Sequence, residues 1–246
     1  MSFKYREILY ANYHTNQSGR AGETDLYSLF SRERVQFSKE IIPYLDSLPR
    51  AASILDIGCG SGSLIAALKD KGFSRIVGMD LSEEQVSIAH KMGVVEVQLE
   101  DAFDFLRSSN EQFDVITGMD IIEHFSKDEL VDILQLIRSR LKPGAVTLFR
   151  TPNLDAPFAS VFAYGDFTHE TFLNASSAQQ VFWATGFSSV RVYSSHMHVK
   201  GIFKKFLRRI LVTIHIFFYK SQLFATGRST KNIVFSPNLI IVANNQ

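Results

Sequence analysis

Three glycines and a set of aspartates carry the first chemistry the sequence offers. Gly58, Gly60 and Gly62 alternate in "ILDIGCGSG", directly behind a short apolar run that contains Asp56. Glycine permits positive φ and lets a ligand lie against bare backbone. Asp80 closes the next apolar run, "RIVGMD", where a carboxylate can take both hydroxyls of a ribose. Together these suit a cofactor that contains a nucleoside. A nicotinamide dinucleotide is the rival, but its fingerprint wants a third glycine or alanine where Ser63 stands. Asp56 also argues against it, because a carboxylate aimed into the crevice repels a pyrophosphate and attracts a cation.

Seven histidines are the next candidates. His90 falls on a surface helix and His215 in an apolar run. His196 and His198 alternate in an extended stretch. His14, His124 and His169 remain. His169 lies in "GDFTHE" with Asp166 and Glu170 beside it, either of which can orient its ring. Asp120, Glu123 and His124 form D-x-x-E-H. On one helical turn these three share a face and make an oxygen, oxygen, nitrogen set suited to magnesium or zinc.

The elements that must position these groups alternate along the chain. Short apolar runs bounded by turn residues predict strands at 53–58, 75–80, 94–99, 113–120 and 145–151. Between them "SLIAALKDKG", "SEEQVSIAHKMG" and "KDELVDILQLIRSRL" read as helices, the first two with glycine at the end and the last closed by "LKPG". This alternation predicts an α/β fold: a Rossmann-like, seven-stranded, mostly parallel sheet with helices on both faces. A further helix, "SAQQVFWATG", and a strand, "SSVRVYS", follow, and 236–244 reads as a last, antiparallel strand. Ligands in such sheets bind at the carboxyl ends of the strands. Residues 1–50 are expected as a helical lid and 51–246 as the main domain, with an amphipathic helical insertion at 200–230.

Composition sets the bounds. The chain has 246 residues, 46% hydrophobic and 21% charged, which reads as globular. A formal net charge of +1 gives no global attraction to nucleic acid. The one cysteine, Cys59, allows no intrachain disulfide and no cysteine-based zinc site. That suits a reducing cytoplasm, and the N-terminus shows no apolar signal-peptide core. The expected location is therefore cytoplasmic.

At its motifs the sequence resembles the class I S-adenosylmethionine-dependent methyltransferases. "LDIGCGSG" looks like their cofactor loop, "GMDLS" their ribose-binding acid and "LEDAFDF" their adenine corner. "FDVITGMDIIEH" and "LKPGAVTLFRTPN" resemble the family's fourth motif and its fifth-strand segment. The likeness covers Ser53 to Thr151 and implies S-adenosylmethionine (SAM) as cofactor. It places Asp56, Gly58, Cys59, Gly60 and Gly62 at the methionine part, and Asp80 on the ribose. Met79 and Leu81 flank the adenine, Asp101 accepts from its amino group, and Ala102 supplies backbone. Asp120 joins the cofactor set. Asp101 reads equally as a helix N-cap before "AFDFLR".

Residues 151–187 resemble the branch of that family that methylates sugar hydroxyls, including enzymes of bacterial surface-polysaccharide assembly. The implied reaction is O-methylation by in-line displacement, in which a placed base contributes roughly 10²–10⁴-fold. His169 is the expected base, with His124 and Asp120 as further catalytic candidates and His14, Asn153, Asp166 and Glu170 around the acceptor. The D-x-x-E-H stretch is similar to the E-x-x-E-H of O-methyltransferases in ubiquinone biosynthesis, with the shorter Asp120 in place of glutamate. The metal-free reading is preferred, since many sugar enzymes of the branch need no ion.

"GIFKKFLRRILVTIHIFFYK" (201–220) carries Lys204, Lys205, Arg208 and Arg209 on one side of a helix. Such a basic amphipathic helix suits peripheral contact with an anionic membrane, packing on the sheet or on a second subunit of a homodimer, or contact with the phosphates of a lipid- or nucleotide-linked glycan acceptor. Two other functions stay open. One is O-methylation of a quinol or small aromatic alcohol. The other is a non-catalytic SAM-binding regulatory subunit.

Overall fold

In the computed structural model, residues 4–11, 13–18, 25–195, 198–227, 229, 231 and 233–245 are described. Seven strands form one sheet: β1 (Ser53–Ile57), β2 (Arg75–Asp80), β3 (Val97–Leu99), β4 (Phe113–Met119), β5 (Leu141–Pro152), β6 (Ser189–Ser195) and β7 (Asn238–Asn244). Their order is β3-β2-β1-β4-β5-β7-β6. Every pairing from β3 to β5 is parallel, while β7 runs antiparallel between β5 and β6. The expected sheet is thus the observed one, including the returning last strand.

Period-two alternation along the strands divides the core between the two faces. Leu55, Ile116, Phe149 and Ile241 point into one buried cluster, and their neighbours Ile54, Val115, Leu148 and Ile240 into the other. The first face is covered by α6 (Ala102–Ser108), α7 (Lys127–Arg140) and α9 (Ala175–Ala184). The second is covered by α3 (Leu26–Glu40), α4 (Ser63–Asp70) and α5 (Glu83–Lys91). Side-chain caps start five of these, all but α4: Asp25 accepts from the Tyr27 amide, and Asn174 forms a reciprocal box with Ser177. Ser82 accepts from the Gln85 amide, Asp101 from Phe103 and Asp104, and Ser126 forms a reciprocal box with Glu129. Each cap satisfies amide groups that the first turn leaves without a partner.

The boundaries differ from expectation at two strands. The third is short, Val97–Leu99, and begins after turns at residues 92–93 and 95–96. The fifth starts early, because Leu141 pairs with Phe113 before the register shifts and Val146 pairs with Val115. "LKPG" is therefore an irregularity inside β5. Pro143 gives no amide to a ladder, so a break in pairing falls there.

At the N-terminus, α1 (Lys4–Tyr10) and α2 (Tyr13–Ser18) precede α3. Arg6 latches α1 to the domain, donating to both oxygens of Glu129, to the His124 carbonyl and to Glu170. Residues 1–50 do not behave uniformly as a lid, since Phe30, Phe37, Ile41 and Ile42 are part of the core. After β5 come α8 (Ala159–Ala163) and the loop to α9. Between β6 and β7 lies α10 (Ile202–Ala225), a helix of 24 residues with none buried.

Candidate functional site

Strands β1, β2 and β4 end at one edge of the sheet, and the turns that follow them meet there. Gly58, Gly60 and Gly62 all have positive φ, at 61°, 54° and 76°. They turn the chain from β1 into α4. A Cβ on Gly58 would lie 2.7 Å from Ile121, so that position is closed to any side chain, whereas around Gly60 only the Gln85 amide approaches, at 3.9 Å. Bare backbone with open space in front of it is what a closely held ligand needs. Asp80 Oδ2 accepts from the Gly60 amide at 2.8 Å and Oδ1 from Ser82 at 2.9 Å. This aspartate fixes the loop from the end of β2.

Loop and α3 enclose a cavity of about 160 Å³. Asp56, Glu33, Asp120 and Arg150 line it beside Gly58–Gly60, and Gln85 Oε1, which also lines it, is buried with no hydrogen-bond partner among the described residues. Asp56 is fully buried and accepts from Thr117 at 2.6 Å; burial pushes its carboxyl up to about 7. A cation in the cavity would draw that proton off. Acids for an ammonium or sulfonium and an unpartnered amide oxygen fit the amino-acid end of SAM. The cavity is smaller than a whole nucleoside cofactor requires, so the nucleoside arm would run outward past Asp80. Arg150, Glu33 and Gln85 were not anticipated from sequence. Arg150 lies at the end of β5 and carries no motif of its own.

Several sequence assignments are corrected. Met79 is wholly buried in the core, so its side chain flanks no ligand; Leu81 is exposed at the mouth. Asp101 spends Oδ1 capping α6, and Ala102 begins that helix. Cys59, by contrast, lines the cavity as expected; its amide donates to the Met79 carbonyl and its sulfur lies toward Gly78.

Asp120 is excluded from the metal set. It takes a left-handed conformation, φ 54°, and its carboxylate is gripped by Arg150, whose Nε lies 3.0 Å from Oδ1. Arg150 also holds Glu40 at 3.2 Å. The helical turn that would put Asp120, Glu123 and His124 on one face begins only at Ile122. Asn153 is buried and donates to the Val234 and Ser236 carbonyls, so it anchors the chain before β7 and cannot reach an acceptor. Glu170 pairs with Arg6 and Tyr5, which commits it to the α1 latch. His14 lies on α2, and its side chain is outside the described residues, as is His196.

His169 takes the place that Asp120 leaves. Glu123, His124 and His169 each offer a ligand atom within 4.8 Å of the others. Glu123 is buried; its Oε2 accepts from Thr151 at 3.0 Å and its Oε1 has no partner among the described residues. Burial, then the Asp120 charge, raises its carboxyl well above the usual range.

The histidine tautomers follow from their partners. The Thr168 hydroxyl donates to Asp166 Oδ1 at 2.7 Å, so its oxygen accepts from His124 Nδ1 at 2.9 Å. His169 Nδ1 lies 2.8 Å from the Ala163 carbonyl, which can only accept. Both rings therefore donate through Nδ1, which leaves Nε2 as the nitrogen that can act on a ligand. Asp166 acts on His124 through Thr168, and the backbone, not Asp166 or Glu170, orients His169. Burial, then His169, lowers His124 to about 4, so it stays neutral. Two imidazoles whose Nδ1 atoms are held as those of metal-binding histidines usually are, and a carboxylate oxygen lacking a partner among the described residues, fit a divalent cation.

Aromatic rings wall this cluster. Tyr10 and Tyr13 stand edge-on to His124, with centroids 6.3 and 6.0 Å away, and His124 stands edge-on to His169 at 4.8 Å. Tyr13 donates to Asp166 Oδ2 at 2.9 Å. Burial pushes Tyr10 up to about 12 and Tyr13 higher still, so both remain phenols. Thr168, Tyr10 and Tyr13 were missed in the sequence because no spacing ties them to His124.

A Rossmann-like sheet with a glycine turn at β1 and an acid at the end of β2 defines a fold that binds nucleoside cofactors at its carboxyl edge. A family profile described as "Methyltransferase domain" matches residues 29–192, and the chain belongs to that family. It is 31% identical over 140 residues to a ubiquinone biosynthesis O-methyltransferase of Hydrogenovibrio crunogenus, covering 50% of this chain and 57% of that one. With the protein of the same name from Pseudomonas syringae pv. tomato it shares 33% over 115 residues, 45% and 48% of the two chains. The chain spans about half the length of the curated relatives it matches. Among solved structures, a SAM-dependent methyltransferase from Archaeoglobus fulgidus superposes with TM-score 0.65 at 20% identity, over 95% of this chain and 100% of that one. A Synechocystis magnesium protoporphyrin IX methyltransferase with bound SAM gives 0.60 at 14%, over 98% and 95%. Both likenesses are of fold.

Proposed function

We propose that the protein is a SAM-dependent O-methyltransferase whose acceptor is a phenolic hydroxyl on a small aromatic ring, such as a quinol precursor. The observation that carries the acceptor class is the wall of Tyr10 and Tyr13 against His124 and His169. Aromatic rings favour such offset and edge-on contacts, and a flat ring slid among them brings its hydroxyl to the bare Nε2 atoms. The names of the curated relatives support the same class. The sugar acceptor expected from "GDFTHE" loses its footing, because Asp166 and Glu170 are spent on Thr168, Tyr13 and Arg6.

SAM, when bound, supplies a methyl group already activated on a sulfonium. The protein's share is placement and the proton. The Gly58–Gly60 backbone and Gln85, beside Asp80, would hold the donor. His169 Nε2 would take the proton of the acceptor hydroxyl as that oxygen is methylated. His124, lowered to about 4 by burial and then by His169, is a poor proton acceptor near neutral pH. A second reading rests on the partnerless Glu123 oxygen. Glu123, His124 and His169 would together hold a divalent cation, which would lower the pKa of the acceptor hydroxyl.

Methyl transfer to an ortho-diphenol, a free sugar and a nucleotide sugar, each with and without chelator, tests both readings. Turnover of the diphenol alone is expected. Turnover of a sugar with none of the diphenol would overturn the acceptor class. Loss of activity on chelation, restored by magnesium or manganese, would replace the base by the cation. His169→Ala turnover within a few-fold of the parent would remove His169 from either role.

A further inference from the structure

Helix α10 faces outward with its apolar side. The half-buried positions, Arg208, Val212, His215, Ile216, Tyr219 and Leu223, recur at helical spacing and mark the side against the domain. On the opposite side Phe203, Phe206, Ile210, Ile214, Phe217 and Phe218 are all exposed, Phe203 and Phe217 at 74%. At 1.5 Å per residue the stripe is about 24 Å long. That is more contiguous apolar surface than a soluble monomer usually leaves uncovered. No helix among the described residues is long and apolar enough to cross a membrane.

The charges around the stripe say what covers it. By helical periodicity Lys204 borders one edge, and Arg209 and Lys220 the other. The helix carries no acid. The asymmetry extends beyond it: all 25 Asp and Glu residues lie at or before Glu170, so the 76 residues after it carry nine Lys and Arg and no acid. The net charge of +1 conceals this division. Lys39, Lys205, Arg208 and Arg209 also line a cleft between α3 and α10, where His198 lies 2.7 Å from the Lys39 ammonium. A second copy docking α10 on α10 about a two-fold axis would set cations against cations, since such an interface repeats the same patch. Phe158, exposed before α8, lies 6.1 Å ring to ring from His215 on the side of α10 that faces the domain.

We infer that α10 is a monotopic membrane anchor: its apolar stripe lies in the acyl boundary of an anionic bilayer, with Lys204, Arg209 and Lys220 among the headgroup phosphates. Long basic side chains reach such phosphates while their stems stay apolar. The anchor is independent of which hydroxyl is methylated.

Sedimentation of the full chain with vesicles tests it, using equal parts phosphatidylglycerol and phosphatidylcholine against phosphatidylcholine alone. The parent should pellet only with the anionic vesicles. Lys204→Glu/Arg209→Glu/Lys220→Glu should bind at least about 100-fold more weakly, at roughly fivefold or more for each charge near the surface. Phe206→Ser/Ile210→Ser/Phe217→Ser should lose binding, yet melt cooperatively and keep S-adenosylhomocysteine affinity, because none of these residues is in the core. No pelleting of the parent, or equal pelleting on both vesicles, would overturn the inference. So would a dimer by light scattering that the apolar triple variant dissociates, which would assign the stripe to a second copy.

Discussion

Replacing Thr168 by valine removes one hydroxyl and keeps the shape of the side chain. Thr168 is 1% exposed, and its hydroxyl joins His124 Nδ1 at 2.9 Å to Asp166 at 2.7 Å. In the variant the His124 Nδ1–H is left buried with no acceptor on that side, which costs about 1–3 kcal/mol. For a domain of this size that lowers Tm by roughly 2–12 °C, at about 2–4 °C per kcal/mol. Moving the proton to Nε2 would relieve the cost, but it would cover the lone pair the site presents. Turnover of a diphenol should therefore fall by about 10–100-fold, the usual penalty for removing a group that orients a functional histidine. S-Adenosylhomocysteine affinity should not change, because Thr168 touches no part of that cavity. Thr168→Ser restores the hydroxyl and should restore activity, which separates the hydrogen bond from any packing defect. Turnover and Tm both within experimental scatter of the parent would refute the tautomer argument, and with it the claim that Nε2 of His124 faces the site unprotonated.

Two other outcomes are expected. Asp80→Ala should weaken S-adenosylhomocysteine by about 5–150-fold in calorimetry, equivalent to 1–3 kcal/mol for buried polar groups losing a partner; unchanged affinity would leave Asp80 only its role on the Gly60 amide. The second concerns acid. His124 is depressed to about 4 in the fold against a reference of 6.5, so the unfolded chain takes the proton first. Its contribution is present above pH 6.5 and is lost as pH falls through about 4, up to about 3 kcal/mol in all. Asp56, raised to about 7, has the opposite sign over an overlapping range. The measurable quantity is therefore the difference in Tm between parent and His124→Gln across pH 7.5 to 4, which should shrink on acidification. A constant difference would contradict the buried neutral imidazole.

The sequence by itself determined the sheet and the glycine turn at its carboxyl edge. Strand periodicity, the alternation with helices and the need for glycine at positive φ are local properties, written into consecutive residues. For that reason β1, β2, β4 and the turn at Gly58–Gly62 fall where reading alone puts them. The sequence also held the division of charge at Glu170, which the overall net charge hides. What only the tertiary structure decided is which side chains meet. D-x-x-E-H reads as one ligand face, but the left-handed turn at Asp120 hands that carboxylate to Arg150, 30 residues away. His169 then arrives from the loop after β5, and Tyr10 and Tyr13 from the N-terminal helices. Asp166 and Glu170 look like acceptor groups in sequence and are consumed by Thr168, Tyr13 and Arg6. A partner fixed by long-range packing leaves no periodic trace, because its spacing in the chain is set by intervening elements and not by the contact itself. The outward turn of α10's apolar stripe is of the same kind: an amphipathic helix shows that it has two faces, and only its seat between β6 and β7 shows which one the protein leaves uncovered.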